Sequence, residues 1–310
     1  MNKLERLKKL LEGNYNFRGS NYEYSPKTNE DLKRLILKII YKYGDNVNLN
    51  NIDVSNIKDF SLIFAEQTRF NGDVSEWDVS NGKNFRDIFF YCESFNGDLS
   101  KWNTSSGINF NGVFFHCYKF NSDVSRWDVS NGENFNFMFS YCFKFNSDTS
   151  KWNVSNGTDF NNMFNYCYKF NSDVSRWNVF KGVNFNSMFS LNDRFNSDLS
   201  QWDVSNAKDM GSMFYSCEKF NSDLSEWNVS NVKNFSGMFS NCDIFNSDLS
   251  KWDVSNGEEF DGMFFNCKSF NADLSEWNTS KAVRWKGFAR GSLLEKYPER
   301  IPIRFRRDYL

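Results

Sequence analysis

The chain has 310 residues, 37 Lys and Arg against 39 Asp and Glu for a formal net charge of -2, and 35 Phe within an aromatic content of 19%. So even a balance provides no global field to gather nucleic acid or an anionic membrane, and any binding has to come from a local patch. No stretch approaches the roughly 18 apolar residues of a membrane-crossing helix. The opening residues also lack the apolar run and small-residue cleavage site of a secretory signal, so the chain as written reads as cytoplasmic, or as secreted or surface-borne if a signal preceded it.

Taken in order, Met1 to Glu12 sets Leu4, Leu7, Leu10 and Leu11 on a helical period, which predicts a short amphipathic helix. Asn29 begins a second helix, with Glu30 and Asp31 in its first turn and Gly44 as its stop. Leu32, Leu35, Ile36, Ile39 and Ile40 form its apolar face, expected to cover the first, weaker repeat, so that residues 1–49 are read as an N-terminal helical cap.

From residue 50 to 288 nearly the same sentence returns every 25 residues, anchored by Trp77, Trp102, Trp127, Trp152, Trp177, Trp202, Trp227, Trp252 and Trp277. A fixed period of this length is the mark of a solenoid, each unit burying its apolar side only against its neighbours. In the copy that starts at Phe220, Trp227 and Val229 alternate as the inward side chains of a short strand. Phe235, Met238, Phe239 and Cys242 then stand at i, i+3, i+4 and i+7, which predicts two turns of helix. The fold class expected is therefore an α/β solenoid of strand-helix repeats with a parallel β-sheet face.

The polar residues fall at fixed phases too. Asn and Asp in the bend FNxDxS are read as hydrogen-bonded turn residues, with a calcium ladder as the alternative. Seven Cys share one phase and are read as buried free thiols, and the single His116 offers no partner for a repeated zinc site. Nine equivalent Ser residues lack a base at a matching phase, so no nucleophile is expected. Neither metal nor cofactor is assigned. At the end, Trp285 takes a slot held earlier by Phe260, and Phe288, Leu293, Leu294 and Tyr297 are expected to close the last layer. Residues 289–310 are read as a C-terminal cap or tail, with IPIRFRRDYL as an extended edge segment.

The motif FNxDxSxWxVSNxxxFxxMFxxC resembles the tandem repeats called domain of unknown function 285, related to BspA-type leucine-rich repeats. The resemblance covers about residues 50–288. It implies a right-handed, leucine-rich-repeat-like coil and, from surface members of the group, roles in adhesion or protein recognition; it supplies no catalytic residues.

Side chains flanking Trp on a strand point away from the core and line the open sheet face. The position before Trp carries four successive cations, and the position after it alternates between Asp and Asn. The candidate partner-binding residues are thus Lys101, Arg126, Asp128, Lys151, Arg176 and Asp203, suited to an acidic peptide or protein, a sulfated glycan or a phosphate-bearing ligand, with a solvated face of mixed charge as the alternative. The function expected is a noncatalytic protein-recognition scaffold acting as a monomer. A surface adhesin for a glycan or host protein is the first alternative, and an enzyme, which needs converging acid, base or metal, the second. Nucleic acid is not expected, since the Trp residues have interior phase and cannot serve as base-stacking platforms.

Overall fold

The computed structural model describes residues 22–310. The amphipathic helix read in Met1 to Glu12 lies outside the described residues. Helix α1 spans Asn29–Tyr43 and starts at Thr28, whose hydroxyl accepts the Asp31 amide at 3.1 Å. Gly44 ends it at φ 93°, its N–H bonding Ile40 O at 2.8 Å. Its buried residues are Leu32, Leu35, Ile36, Ile39 and Ile40, the five that the spacing selects. The Asn29 side chain donates to the carbonyls of Asp59 and Ser61 at 3.0 and 2.9 Å, tying α1 to the first coil. Among the described residues no helix is long and apolar enough to cross a membrane.

In the repeats the strand-helix expectation fails. The α/β coil with a parallel β-sheet face does not form: among the described residues, helix beyond α1 is limited to 3-10 turns at Leu293–Lys296 and Pro298–Arg300 and to α2, Ile303–Arg306. Extended pairing among the described residues is limited to isolated parallel bridges, among them the run Asp59, Asn84, Asn109 and on to Arg284, one residue from each coil.

The stretch expected to be helical is a pair of successive four-residue turns. Ile88 N–H bonds Phe85 O at 3.2 Å and Cys92 N–H bonds Phe89 O at 2.9 Å. The third residue of each turn, Asp87 and then Tyr91, has φ 56°, as in a type II turn. The first and fourth residues of both turns, Phe85, Ile88, Phe89 and Cys92, are fully buried. The alternate amides leave the coil altogether: Phe85, Asp87, Phe89 and Tyr91 donate to Asn109, Asn111, Val113 and Phe115 of the next coil at 2.8–3.0 Å. Every amide from 85 to 92 except that of Arg86 thus finds a backbone carbonyl, and Arg86 N–H goes to Asn84 Oδ1 at 3.2 Å.

The segment before Trp is also a turn rather than a strand, since Trp127 N–H bonds Val124 O at 3.0 Å. The indoles lie inside all the same, each 2–5% exposed. Each Nε1–H donates to a carbonyl 28 residues earlier, Trp127 to Leu99 at 3.1 Å and Trp152 to Val124 at 3.0 Å. Neighbouring indoles stack nearly parallel, with centroids 6.3 Å apart for Trp77–Trp102 and 6.1 Å for Trp102–Trp127. Columns of Phe run beside them, as in Phe85–Phe110 at 5.6 Å and Phe89–Phe114 at 5.7 Å.

Polar ladders hold the corners. Asp98 Oδ1 accepts the Ser100 amide at 2.9 Å, and Asn96 Oδ1 accepts the Asn121 amide of the next coil at 2.7 Å. The seven thiols are unpaired and buried, and burial pushes their pKa values up. They also donate: Cys142 Sγ reaches Phe114 O at 3.0 Å. Asn192, which breaks the Cys series, sends its amide to the corresponding carbonyl of Phe164 at 2.9 Å, so an amide can replace the thiol as donor in this slot.

On the last coil the chain's closing residues occupy places that a further coil would fill. Leu224 N–H donates to Ser247 of the following coil at 2.8 Å, whereas its counterpart Leu274 donates to Arg300 O at 2.8 Å. Ser230 O takes the Asn256 amide at 2.8 Å, whereas its counterpart Ser280 O takes Arg304 Nη1 at 2.6 Å. Phe305 lies 5.4 Å from Phe260 and 5.1 Å from Trp285 between ring centroids, so this segment is folded in as a helical turn and not as the extended edge expected.

Candidate interaction surface

The repeat holds its inward residues constant and varies its outward ones, so the candidate surface is the set of exposed slots beside the buried Trp. Lys101, Arg126, Asp128, Lys151, Arg176 and Asp203 are all exposed. The four cations stand in successive coils at the same slot, brought together by the stacking of residues 25 apart. They do not belong to a sheet; the two buried neighbours that turn them outward, Trp and Val, sit in consecutive turns.

Their environments differ. Lys101 Nζ pairs with the Glu76 carboxylate of the preceding coil. Arg126, Lys151 and Arg176 form no ion pair within 4.0 Å among the described residues. Asp128 Oδ1 accepts the Ser130 amide at 2.9 Å and Asp203 Oδ1 accepts the Ser205 amide at 3.0 Å, so each has one oxygen engaged in its own turn. Asp123 and Asp173, three residues before Arg126 and Arg176, are held below the usual carboxylate range. The amide of the Ser two residues on is the chief cause, its hydroxyl the next, and the nearby Arg contributes. Arg176, Asn178, Gln201 and Asp203 line a shallow, open depression against Trp177.

One residue of this surface escaped the sequence reading. Phe180 is 48% exposed in a slot where Ser80, Ser105, Ser130, Ser155, Ser205, Ser230 and Ser255 stand in other coils. It lies two residues beyond Asn178 on the outward-facing alternation, in the same coil as Arg176. The break in the Ser series is legible in the sequence.

A family model described as Mycoplasma protein of unknown function, DUF285, matches residues 31–149, 99–202, 133–243 and 183–293. The chain belongs to this DUF285 family. No curated protein matches it. Each matched window of this DUF285 chain runs through more than four 25-residue periods, so the family unit is a run of coils rather than one. That agrees with the hydrogen bonding, in which a single coil leaves half of its turn amides without a partner.

Proposed function

We propose that the protein is a noncatalytic recognition scaffold, built as a rigid stack of coils, that holds an acidic protein partner along the row beside the indoles. The observation that carries the reading is the register of Arg126, Lys151 and Arg176: three cations in consecutive coils, exposed and without an ion-pair partner among the described residues, with the exposed ring of Phe180 in the last of these coils. Cations held at fixed intervals by a buried scaffold lose little freedom on meeting carboxylates, and an isolated aromatic residue at the rim supplies the apolar anchor that binding hot spots favour.

The test replaces Lys101, Arg126, Lys151 and Arg176 by Ser. All four side chains are exposed, so the melting temperature is expected to stay within a few degrees of the parent while capture of partner proteins from the source cell weakens. Equal capture by parent and variant rejects this placement of the site. A second variant, Phe180→Ser, restores the residue that other coils carry, and is expected to weaken capture without loss of stability.

A further inference from the structure

A second surface, on the edge formed by the paired turns, departs from the repeat more strongly than the cationic row. Tyr91, His116, Tyr141 and Tyr166 occupy one slot in four consecutive coils and stack at 4.2, 4.1 and 4.4 Å between ring centroids, tilted by 7–15°. Beside them Tyr118, Phe143 and Tyr168 form a second stack at 4.9 and 5.4 Å. The two stacks meet at steep angles, 61° for Tyr141 and Phe143 and 79° for Tyr166 and Tyr168. All seven rings are half-buried.

The later coils show that the fold does not demand these rings. In the first slot they carry Leu191, Ser216, Asn241 and Asn266, with φ 55–61° against 56–63° for the aromatic residues. In the second slot they carry Asp193, Glu218, Asp243 and Lys268. The buried Phe and Cys slots beside both are filled alike in the two halves, apart from Asn192. Seven aromatic side chains gathered on one edge, where the same backbone is built elsewhere with Leu191 and otherwise polar residues, mark a surface kept for contact.

Its middle coils set cations beside the rings, with Glu93 near Tyr118 and Asp193 near Tyr168 at the two ends. The faces of the rings are largely covered by one another, which leaves their edges for contact, and ring edges are the positive part of an aromatic quadrupole. The residues next to the second stack are Lys119, Lys144 and Lys169, all exposed and without an ion pair among the described residues. The cationic slot continues past the rings as Arg194 and Lys219, but there it stands beside Asp193 and Glu218, so only Lys119, Lys144 and Lys169 adjoin aromatic residues. Sugars and nucleobases bind aromatic side chains through their faces, which here are spent.

We infer that the edge spanning Tyr91 to Lys169 is a docking strip for an extended acidic polypeptide segment, with carboxylates on Lys119, Lys144 and Lys169 and apolar side chains against the ring edges. This strip is separate from the row of Arg126 and Arg176 and does not depend on it.

The probe is a fluorescent glutamate–tyrosine copolymer titrated with the full chain at low and physiological salt, with heparin and oligo(dT) as competitors. Tyr118→Gln, Phe143→Gln and Tyr168→Gln together remove the rings at constant charge, and are expected to weaken copolymer binding at least fivefold. Lys119→Ser, Lys144→Ser and Lys169→Ser together, which install the residue found at Ser94 and Ser269, are expected to weaken it tenfold or more and to flatten its salt dependence. Circular dichroism and melting of each variant confirm that it is folded. Replacing Lys101, Arg126, Lys151 and Arg176 by Ser is expected to leave copolymer binding unchanged, so failure of the other site is read separately. No binding by the parent, retention of full affinity in both strip variants, or tighter strip-dependent binding of heparin or oligo(dT) overturns the inference.

Discussion

His116 sits between the rings of Tyr91 and Tyr141, with Nδ1 2.9 Å from the Tyr118 hydroxyl. Burial lowers its pKa from the ordinary 6.5. Below that value the unfolded chain takes up a proton that the folded chain resists, so stability from the neutral ring is complete above about 6.5 and declines as pH falls through the folded value. His116→Tyr extends a column that is otherwise Tyr at the same positive φ, and should fold normally. The variant is expected to gain on the parent as pH drops from 8 to 5; a melting-temperature difference that stays constant over that range contradicts the buried, neutral ring. Trp152 gives the larger effect. It is 4% exposed and donates to Val124 O, so Trp152→Ala leaves a cavity worth about 3–5 kcal/mol and orphans a buried carbonyl. Denaturant unfolding close to the parent's would place the indole wrongly. The inward place of Trp was readable because it alternates with outward charges and follows the 25-residue period. Its bond to the preceding coil was not, since no local pattern encodes a partner 28 residues away.

For the elements, the same separation between sequence signal and backbone partner explains why the turns were taken for helix. Apolar residues at i, i+3, i+4 and i+7 mark one face of a helix, and equally the first and fourth corners of two consecutive turns. Side-chain spacing is blind to the difference. The glycines scattered through one slot, Gly112, Gly237, Gly262 and Gly287, stand at φ 57–66° and were the available hint that the backbone there is left-handed. Gly262→Ala separates the two geometries by sign: in a helix it stabilises by up to about 1 kcal/mol, whereas at φ +57° it should cost about 1 kcal/mol. The nearest atom to an added Cβ is 3.6 Å away, so crowding does not cloud the result. The Asp corners make a further prediction. Asp98, Asp123, Asp173, Asp198, Asp223, Asp248 and Asp273 all have lowered pKa values, chiefly through the amide of the Ser two residues on. Their contribution is present above the ordinary carboxylate value near 3.9 and is lost as pH falls through the folded values. Acid titration should therefore unfold the stack, and Asp→Asn at several of these corners, which keeps the turn acceptor, should blunt that transition; an unaltered acid midpoint would count against it.

Across the whole molecule, each coil contacts essentially the coils on either side, through hydrogen bonds between residues 23 to 28 apart. The period and the identity of the core were legible for that reason, and so was the outward cationic row. The two surfaces that vary between coils were legible only in part, because Phe180 and the aromatic edge show themselves as departures from a rule whose geometry has first to be known. The stacking has a direct consequence for deletions. Removing residues 145–169 joins Lys144 to Phe170, the junction that Lys144 already makes with Phe145, and restores every ladder one coil shorter. That variant is expected to fold cooperatively, with a denaturant m-value lower by roughly a tenth, in proportion to the surface it no longer buries. Removing only residues 145–156 brings Gly157 into the Phe145 slot, shifts the Asn and Asp corners out of phase with those of the coil before, and should prevent folding of everything that follows. If the half-period deletion folded as well as the full-period one, the coils would not be held by residue-for-residue stacking, and the core, the row of cations and the aromatic edge would all have to be placed again.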